Sequence, residues 1–197
     1  GLSYAASNDI LKAALQTAGL VLVDTTLELI TASYHSNCGG QTCNSEDVWM
    51  LSKIYLRSVK DPYCVQRKNA RWERKVSQAK WLGYFERVHG YKPSDEQSRE
   101  RALNFAQTSR VPYFQNNQKI MLKDVRADWR FRSTFFSTSV SGDQVVVQGR
   151  GFGHGVGLCQ EGAMEMVLRG ISYKDILNFY YTGVALIDIA SLRFLLR

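Results

Sequence analysis

No stretch of this 197-residue chain approaches the roughly 18 to 20 consecutive apolar residues that a helical membrane span requires, which excludes that class. The N-terminus has neither the basic region nor the apolar region of an export signal. Internal repeats and low-complexity tracts are missing, which excludes solenoids and biased tails. No recognisable nucleic-acid module is present, no oxyanion-hole pattern accompanies a cysteine, and the tight Cys-x-x-Cys knuckle of structural zinc sites does not occur. Because the chain begins with Gly1 rather than methionine, the expectation is a processed or trimmed piece of a longer polypeptide whose export signal, if any, was encoded upstream.

What is present is an ordinary globular composition, long enough for one sizeable core, and the default is a single domain over residues 1–197. The net charge of +7 favours polyanionic partners. Basic residues thicken between Arg67 and Lys80, where Arg71, Arg74 and Lys75 alternate with Trp72 and Trp81. That stretch suits a cell-wall polymer, or it is a solvated basic loop with two structural tryptophans; without a module to support it, nucleic acid is not expected as a partner. Four cysteines leave the redox compartment open. A Cys38–Cys64 disulfide would pin a loop and leave Cys43 and Cys159 free. A zinc site of His35, Cys38, Cys43 and Cys64 is the alternative, with the missing knuckle against it; otherwise no cofactor is expected.

Ser7, Asn8 and Asp9 offer N-caps to an apolar pattern at Ile10, Leu11, Ala14, Leu15 and Ala18 that Gly19 stops, which predicts a short amphipathic helix. Residues 20–23 and 27–34 flank Asp-Thr-Thr and predict a hairpin delivering His35 and Cys38 to its end. Residues 37–47 read as a loop turned at Gly39-Gly40, followed by Val48, Trp49 and Leu51, which are expected to be buried. Residues 60–115 resemble a peripheral lobe, irregular and charged up to Lys92, with a capped helix from Ser94 to about Gln107. Residues 118–150 have β character, in segments 119–122, 131–140 and 145–148 with a turn at 141–143. Helices are predicted from Gln160 to Arg169 and from Ser172 through Tyr181, and one or two strands over 184–196. The sum is an α+β fold of mainly antiparallel sheets with peripheral helices.

The most informative run is Arg150-Gly-Phe-Gly-His-Gly-Val-Gly-Leu-Cys-Gln-Glu-Gly-Ala163. If residues 145–156 run extended, glycines 151, 153, 155 and 157 leave one face bare, so that a ligand can approach the backbone beside His154. The bland reading is a bulge in which His154 merely bonds within the fold.

Three motifs then coincide in order: Tyr34-His-Ser-Asn-Cys-Gly-Gly-Gln-Thr42 with Glu46-Asp-Val-Trp49, Phe131-Arg-Ser-Thr-Phe135, and the glycine run. Together with Gly170-Ile-Ser-Tyr-Lys-Asp-Ile-Leu177 and Tyr180-Tyr-Thr-Gly183, they resemble the SpoIID/LytB family over about residues 10–185. The resemblance implies peptidoglycan as partner and a location outside the cytoplasm. Family members of the SpoIID type are lytic transglycosylases acting on glycan strands stripped of stem peptides, whereas LytB-type relatives enhance a cell-wall amidase. Sporulation itself does not follow.

A lytic transglycosylase needs one carboxylic acid to protonate the glycosidic oxygen and then to help the sugar's 6-hydroxyl close on the anomeric carbon. The family's catalytic glutamate belongs to a Glu-Met-Pro-like segment, which no residue of this chain matches and which would lie upstream of residue 1. The expectation is therefore the substrate-groove portion of such an enzyme, inactive alone, or alternatively a non-enzymatic wall-binding module that enhances an amidase. Glu46 and Glu161 are the substitutes to try, each also explained as a loop or helix-terminus carboxylate. Substrate-binding candidates are Tyr34, His35, Ser36, Gln41, Trp49, Phe152, Gly153, His154, Gly155 and Gln160. His154 would orient the acid or a hydroxyl; Tyr34, Trp49 and Phe152 would be sugar platforms, or Tyr34 and Trp49 core. A thiol hydrolase using Cys159 and His154 is a third reading.

Overall fold

The computed structural model describes the backbone of residues 4–190 and the side chains of residues 8–190. In chain order the elements are helix α1 (Tyr4–Gln16), strands β1 (Leu20–Val23) and β2 (Tyr34–His35), helix α2 (Glu46–Trp49) and strand β3 (Arg71–Ser77). Helices α3 (Gln78–His89), α4 (Glu96–Leu103) and α5 (Leu122–Trp129) follow, then strands β4 (Phe136–Ser141), β5 (Gln144–Arg150) and β6 (Leu158–Cys159). Helices α6 (Gln160–Leu168) and α7 (Tyr173–Tyr180) precede strand β7 (Ala185–Asp188). Two of the three sheets are antiparallel and one short pair is parallel, so the fold is α+β. Contacts group the chain into two units, one of residues up to Ala32 with those from Gly183 on, and one of Ser33–Thr182.

In the first unit, β1 pairs antiparallel with β7, from Leu20 opposite Asp188 to Val23 opposite Ala185. This corrects the expected hairpin. The turn forms, since Asp24 Oδ1 accepts from the Thr26 and Glu28 amides, but the returning arm meets β1 at an isolated bridge of Val23 with Leu29, made by the Asp24 amide on the Glu28 carbonyl and the Ile30 amide on the Leu22 carbonyl, and forms no strand beside it. Leu27 and Leu29 are exposed and Leu27 is left-handed, so the arm has no apolar face to hold it in register. Helix α1 starts before Ser7, which places the three expected caps inside it. Of the expected closing strands, β7 is present and residues 191–196 lie outside the described residues.

The second unit is built on the antiparallel sheet β3-β5-β4. Gly149 faces Trp72 across β5 and β3, and a Cβ there would come within 1.9 Å of the indole, so the glycine is a packing requirement. Val145 and Val147 of β5 and Phe136 of β4 turn into a core completed by Trp81 and Phe85 of α3, Leu103, Phe105, Phe114, Ile120, Phe131, and Leu122 and Val125 of α5. Segment 60–115 thus supplies a sheet strand and the central tryptophan of this core. The sequence of 78–89 reads as irregular because charged Lys80, Glu86 and Arg87 alternate with the residues that are buried. Trp81, Tyr84 and Phe85 nevertheless keep helical spacing, the Ser77 hydroxyl accepts from the Lys80 amide, and left-handed Gly90 ends the helix.

Further corrections concern residues 118–135. The expected strand at 119–122 instead leads into α5, whose Leu122 and Val125 lie one turn apart on the buried face. The strand expected from Phe131 begins at Phe136, because left-handed Arg130 ends α5 and releases the chain only after Phe131 has entered the core. The cap at Ser172 forms as expected; α4 is capped by Asp95, one residue after the expected Ser94, and stops at Leu103 rather than near Gln107. Trp81 is fully buried, packs edge-on against Phe85 at 5.0 Å and donates from Nε1 to the Ala102 carbonyl at 2.9 Å. Trp81→Ala is expected to cost about 3–5 kcal/mol in urea unfolding, and a loss under about 1 kcal/mol would contradict this account of the core.

Candidate functional site

Segments 33–43 and 150–159 lie backbone against backbone. Asn37 and Phe152 exchange both amide–carbonyl bonds, at 3.0 and 2.7 Å, the Cys43 amide donates to Gly155 at 2.7 Å, and the Leu158 amide to Ser33 at 2.9 Å. Strands β2 and β6 then pair in parallel, Tyr34 opposite Leu158 and His35 opposite Cys159. The glycine run is therefore not the bare-faced strand expected of it, since β5 ends at Arg150. Its glycines adopt left-handed turns in which the chain presses on its neighbour. A Cβ at Gly153 would stand 2.7 Å from the His35 Cβ, and one at Gly157 2.2 Å from the Ser33 carbonyl oxygen.

This seam brings the two motif histidines together, with ring centroids 5.5 Å apart, and adds the Trp49 indole 5.3 Å from His154. His154 is half-buried. The Val156 amide donates to its Nδ1 at 3.1 Å, so that nitrogen carries a lone pair. Desolvation lowers its pKa, while a hydrogen bond to the Tyr34 backbone pulls the other way. His35 is buried rather than groove-lining. Its Nδ1–H donates to the Val156 carbonyl at 3.2 Å, its Nε2 is buried without a hydrogen-bond partner, and burial, reinforced by Arg110, pushes its pKa down to about 3.

The other candidates divide. Tyr34 is 63% exposed, Trp49 41% and Phe152 41%, so all three present ring surface to solvent; Leu51 is exposed as well, against the expectation of burial for 48–51. Gln160 is exposed at the start of α6. Ser36 serves the fold through its carbonyl, which accepts from the Glu161 amide. Gln41 is committed, donating to Ser58 Oγ and accepting from the Arg110 amide. Gly153 and Gly155 are seam residues, Gly153 donating to the Arg132 carbonyl at 2.8 Å and Gly155 buried against Cys43.

Neither candidate acid is free. Arg57 grips Glu46 with two bonds of 2.7 Å, and hydrogen bonding to that guanidinium holds the carboxyl down at about 2. Glu161 accepts from Asn37 Nδ2 at 2.6 Å, from Asn69 Nδ2 at 2.6 Å and from the Asn69 amide at 3.2 Å, which ties the first turn of α6 to the 37 and 69 loops.

The cysteine expectations need correction. Cys38 and Cys64 do meet, but their sulfurs are 3.3 Å apart, beyond the roughly 2.05 Å of a disulfide, and all four cysteines are free thiols. The expected zinc set is split: His35 faces His154, and the Cys43 thiol faces the His154 carbonyl at 3.6 Å, while Cys38 and Cys64 converge instead with Cys159 and Asp61. A Cys159–His154 couple is also absent. The Cys159 sulfur accepts from the Cys38 and Gly162 amides, and the His154 ring bonds Val156.

Most of the chain, the seam segments included, is similar in sequence to known proteins. The chain is 31% identical over 155 residues to "Stage II sporulation protein D" of Bacillus subtilis (strain 168), an alignment covering 78% of this chain and 44% of that protein. It is also 31% identical over 161 residues to the protein of the same name from Bacillus amyloliquefaciens, covering 79% of this chain and 44% of that one. The chain is SpoIID/LytB-like. Its similarity to the "Amidase enhancer" of Bacillus subtilis (strain 168), 27% over 234 aligned residues, covers 93% of this chain and 33% of that protein. No family model matches, and the chain spans under half the length of these relatives.

The SpoIID/LytB-like chain also contains residues that sequence reading passed over. Arg110 stands between the motifs, donating to the carbonyls of Gln41 at 2.6 Å and Cys38 at 2.7 Å and to Thr134 Oγ1 at 3.0 Å. A lone arginine outside any pattern gave no signal. Two concavities of about 560 and 590 Å³ share Arg71 and Arg150; the first adds Gly39, Gly40, Gln41, Lys60 and Phe135, and the second Trp72 and Gln107. The Arg150 guanidinium lies 3.6 Å from the centre of the Phe135 ring, a cation–π contact that holds it in place. Neither concavity includes His154 or Trp49.

Two tests follow from the seam. Gly157→Ala and Gly170→Ala both place a side chain at positive φ, but only position 157 adds a backbone clash. Gly157→Ala should therefore lose at least about 1 kcal/mol more in urea unfolding than Gly170→Ala; equal losses would refute the close approach. Since the folded-state pKa of His154 lies below its unfolded value of 6.5, the unfolded chain takes the proton first. Its contribution to stability is complete above pH 6.5 and fades as pH falls below it. His154→Gln should flatten the stability-versus-pH curve between pH 6.5 and the acid limb; an unchanged slope would show that the ring titrates normally.

Proposed function

We propose that this chain is the glycan-holding portion of a peptidoglycan lytic transglycosylase that acts on strands stripped of their stem peptides. The observation that carries the reading is the half-exposed imidazole of His154 against the Trp49 ring, with exposed Tyr34 and Phe152 on the same two backbone segments. A pyranose offers hydroxyls at its rim and an apolar face, and aromatic rings beside a neutral imidazole match both. Charge supports the same polymer. Removing the stem peptide frees the lactyl carboxylate of each muramic acid, so a stripped strand is a polyanion. The +7 chain meets it with Arg71, Arg150 and Lys60 lining two of its concavities.

Cleavage would need a proton donor of raised pKa at the glycosidic oxygen. Glu46 is held ionised by Arg57, and Glu161 has its oxygens engaged by Asn37 and Asn69, so neither of these two fits the role, and we place the acid in a Glu-Met-Pro-like segment that no residue of this chain matches. A cell-envelope location outside the cytoplasm follows from this substrate. A second reading, a non-catalytic wall-binding module that assists an amidase, draws on the similarity to a protein named "Amidase enhancer" and on the same two committed carboxylates.

In co-sedimentation with peptide-stripped glycan strands, Trp49→Ala and His154→Ala should each weaken binding about fivefold to thirtyfold, which corresponds to about 1–2 kcal/mol. Unchanged affinity in both variants would sink the groove. Release of anhydro-muramyl products by the chain alone would refute the placement of the acid. Stimulation of a purified wall amidase by the chain, with stripped strands left unbound, would favour the second reading over the first.

A further inference from the structure

Four donor groups that the glycan site does not use meet in one buried place. The thiols of Cys38, Cys64 and Cys159 and the carboxylate of Asp61 each offer one atom, all within 4.8 Å of one another, and all four residues have no solvent exposure. They come from three separate stretches: the Gly39-Gly40 turn, residues 61–64, and the residue preceding α6. Three thiols and a carboxyl packed together away from water satisfy one another poorly, because each can donate at most one proton and all have lone pairs to place. The Cys38 thiol has Asp61 Oδ2 at 3.2 Å and the Cys64 sulfur at 3.3 Å as its partners.

The groups around the cluster aim hydrogen at it. The Cys159 sulfur accepts from the Cys38 amide at 3.2 Å and the Gly162 amide at 3.4 Å. Tyr180 donates to Asp61 Oδ2 at 2.9 Å, and the Tyr63 amide to Asp61 Oδ1 at 2.9 Å. Donors directed at sulfur and carboxylate oxygen are what surrounds metal ligands, where they orient the ligand and stabilise its negative charge. Gly162 permits this closeness, since a Cβ there would come within 2.4 Å of Asp61 Oδ2 and 2.2 Å of the Tyr180 hydroxyl.

We propose that Cys38, Cys64, Cys159 and Asp61 form a closed structural site for one thiophilic divalent cation, with zinc the best chemical fit. Tetrahedral zinc with Zn–S bonds of about 2.3 Å sets its sulfurs about 3.8 Å apart, so the observed 3.3 Å opens to that value by small side-chain rotations. Three thiolates disfavour magnesium and calcium, which take oxygen ligands, and full burial leaves no place for a substrate. On binding, the three thiol protons pass to solvent and the cation takes their place. The filled site would have one net charge of about −2 from four anionic ligands and one dication. Arg110 stands beside it, its guanidinium donating to the Cys38 carbonyl at 2.7 Å. A Cys38–Cys64 disulfide would use only half the cluster and leave the Cys159 thiol and Asp61 buried together. The cation would fasten the start of α6 and the 61–64 turn to the segment that contains His35.

The test is metal analysis of the full chain purified under reducing conditions. About one zinc per chain is expected; Cys64→Ser and Cys159→Ser should each lower that content by roughly fivefold or more, while Cys43→Ser, a buried thiol outside the cluster, should leave it unchanged. Chelation should lower the Tm by more than about 5 °C, reversed by added zinc. Should the cluster variants fail to fold, cobalt exchanged into the unaltered chain should give the thiolate charge-transfer and tetrahedral ligand-field bands of a sulfur-rich site. Metal-free protein with four reactive thiols and a Tm indifferent to chelator would overturn the proposal. So would an intact mass short of two hydrogens, which marks a disulfide, or loss of the metal in Cys43→Ser.

Discussion

The approach of two backbones, residues 33–43 and 150–159, governs the rest of the second unit. Its hydrogen bonds run in an unusual succession, with an antiparallel exchange between Asn37 and Phe152, a bond from Cys43 to Gly155 and a short parallel pairing at β2 and β6. Such a path is open only to a chain that can turn left-handed repeatedly and bring its Cα atoms to within a side chain's breadth of its neighbour. Glycines at 151, 153, 155 and 157 meet both conditions. The residues between them are thereby fixed in direction: Phe152 toward solvent, His154 against Trp49, and Val156 into the interior.

Polar groups around the seam are committed to holding it. Glu161 spans from α6 to Asn37 and Asn69, Arg110 bridges the carbonyls of Cys38 and Gln41, and Arg57 fixes Glu46 at the head of α2. Desolvation keeps both motif histidines neutral, so the contact of His154 with Trp49 is uncharged, while arginines line two separate concavities. On the proposed function, the uncharged aromatic rings would take the body of a sugar and the arginine-lined concavities its anionic substituents. The same commitments explain why neither candidate carboxylate is available for proton transfer.

Much of this was legible in the sequence wherever a residue type has a single structural use. The helix cap at Ser172, the glycine that ends α6 and the turn at 141–143 all follow from local chemistry. Helix α3 was missed because surface charge masked the 81, 84, 85 spacing. The arm after Asp24 was overread because alternating apolar residues look alike whether or not a partner strand is there to receive them. His35 was placed in the groove from its neighbours in the motif, yet a two-residue strand turns successive side chains to opposite faces, and His35 is the inward one.

By itself, then, the sequence determined which segments would turn, cap and approach closely, because those requirements are local and written in glycine, serine and aspartate. Only the tertiary structure decided partnership: β7 rather than residues 27–34 beside β1, Arg57 on Glu46, Asn69 on Glu161, and Cys159 with Asp61 rather than His35 with Cys43 around the Cys38 and Cys64 sulfurs. Those pairings join residues up to 168 positions apart, as between Leu20 and Asp188. Spacing along a chain holds no information on them, since they are set by how the seam and the core fold the intervening lengths together.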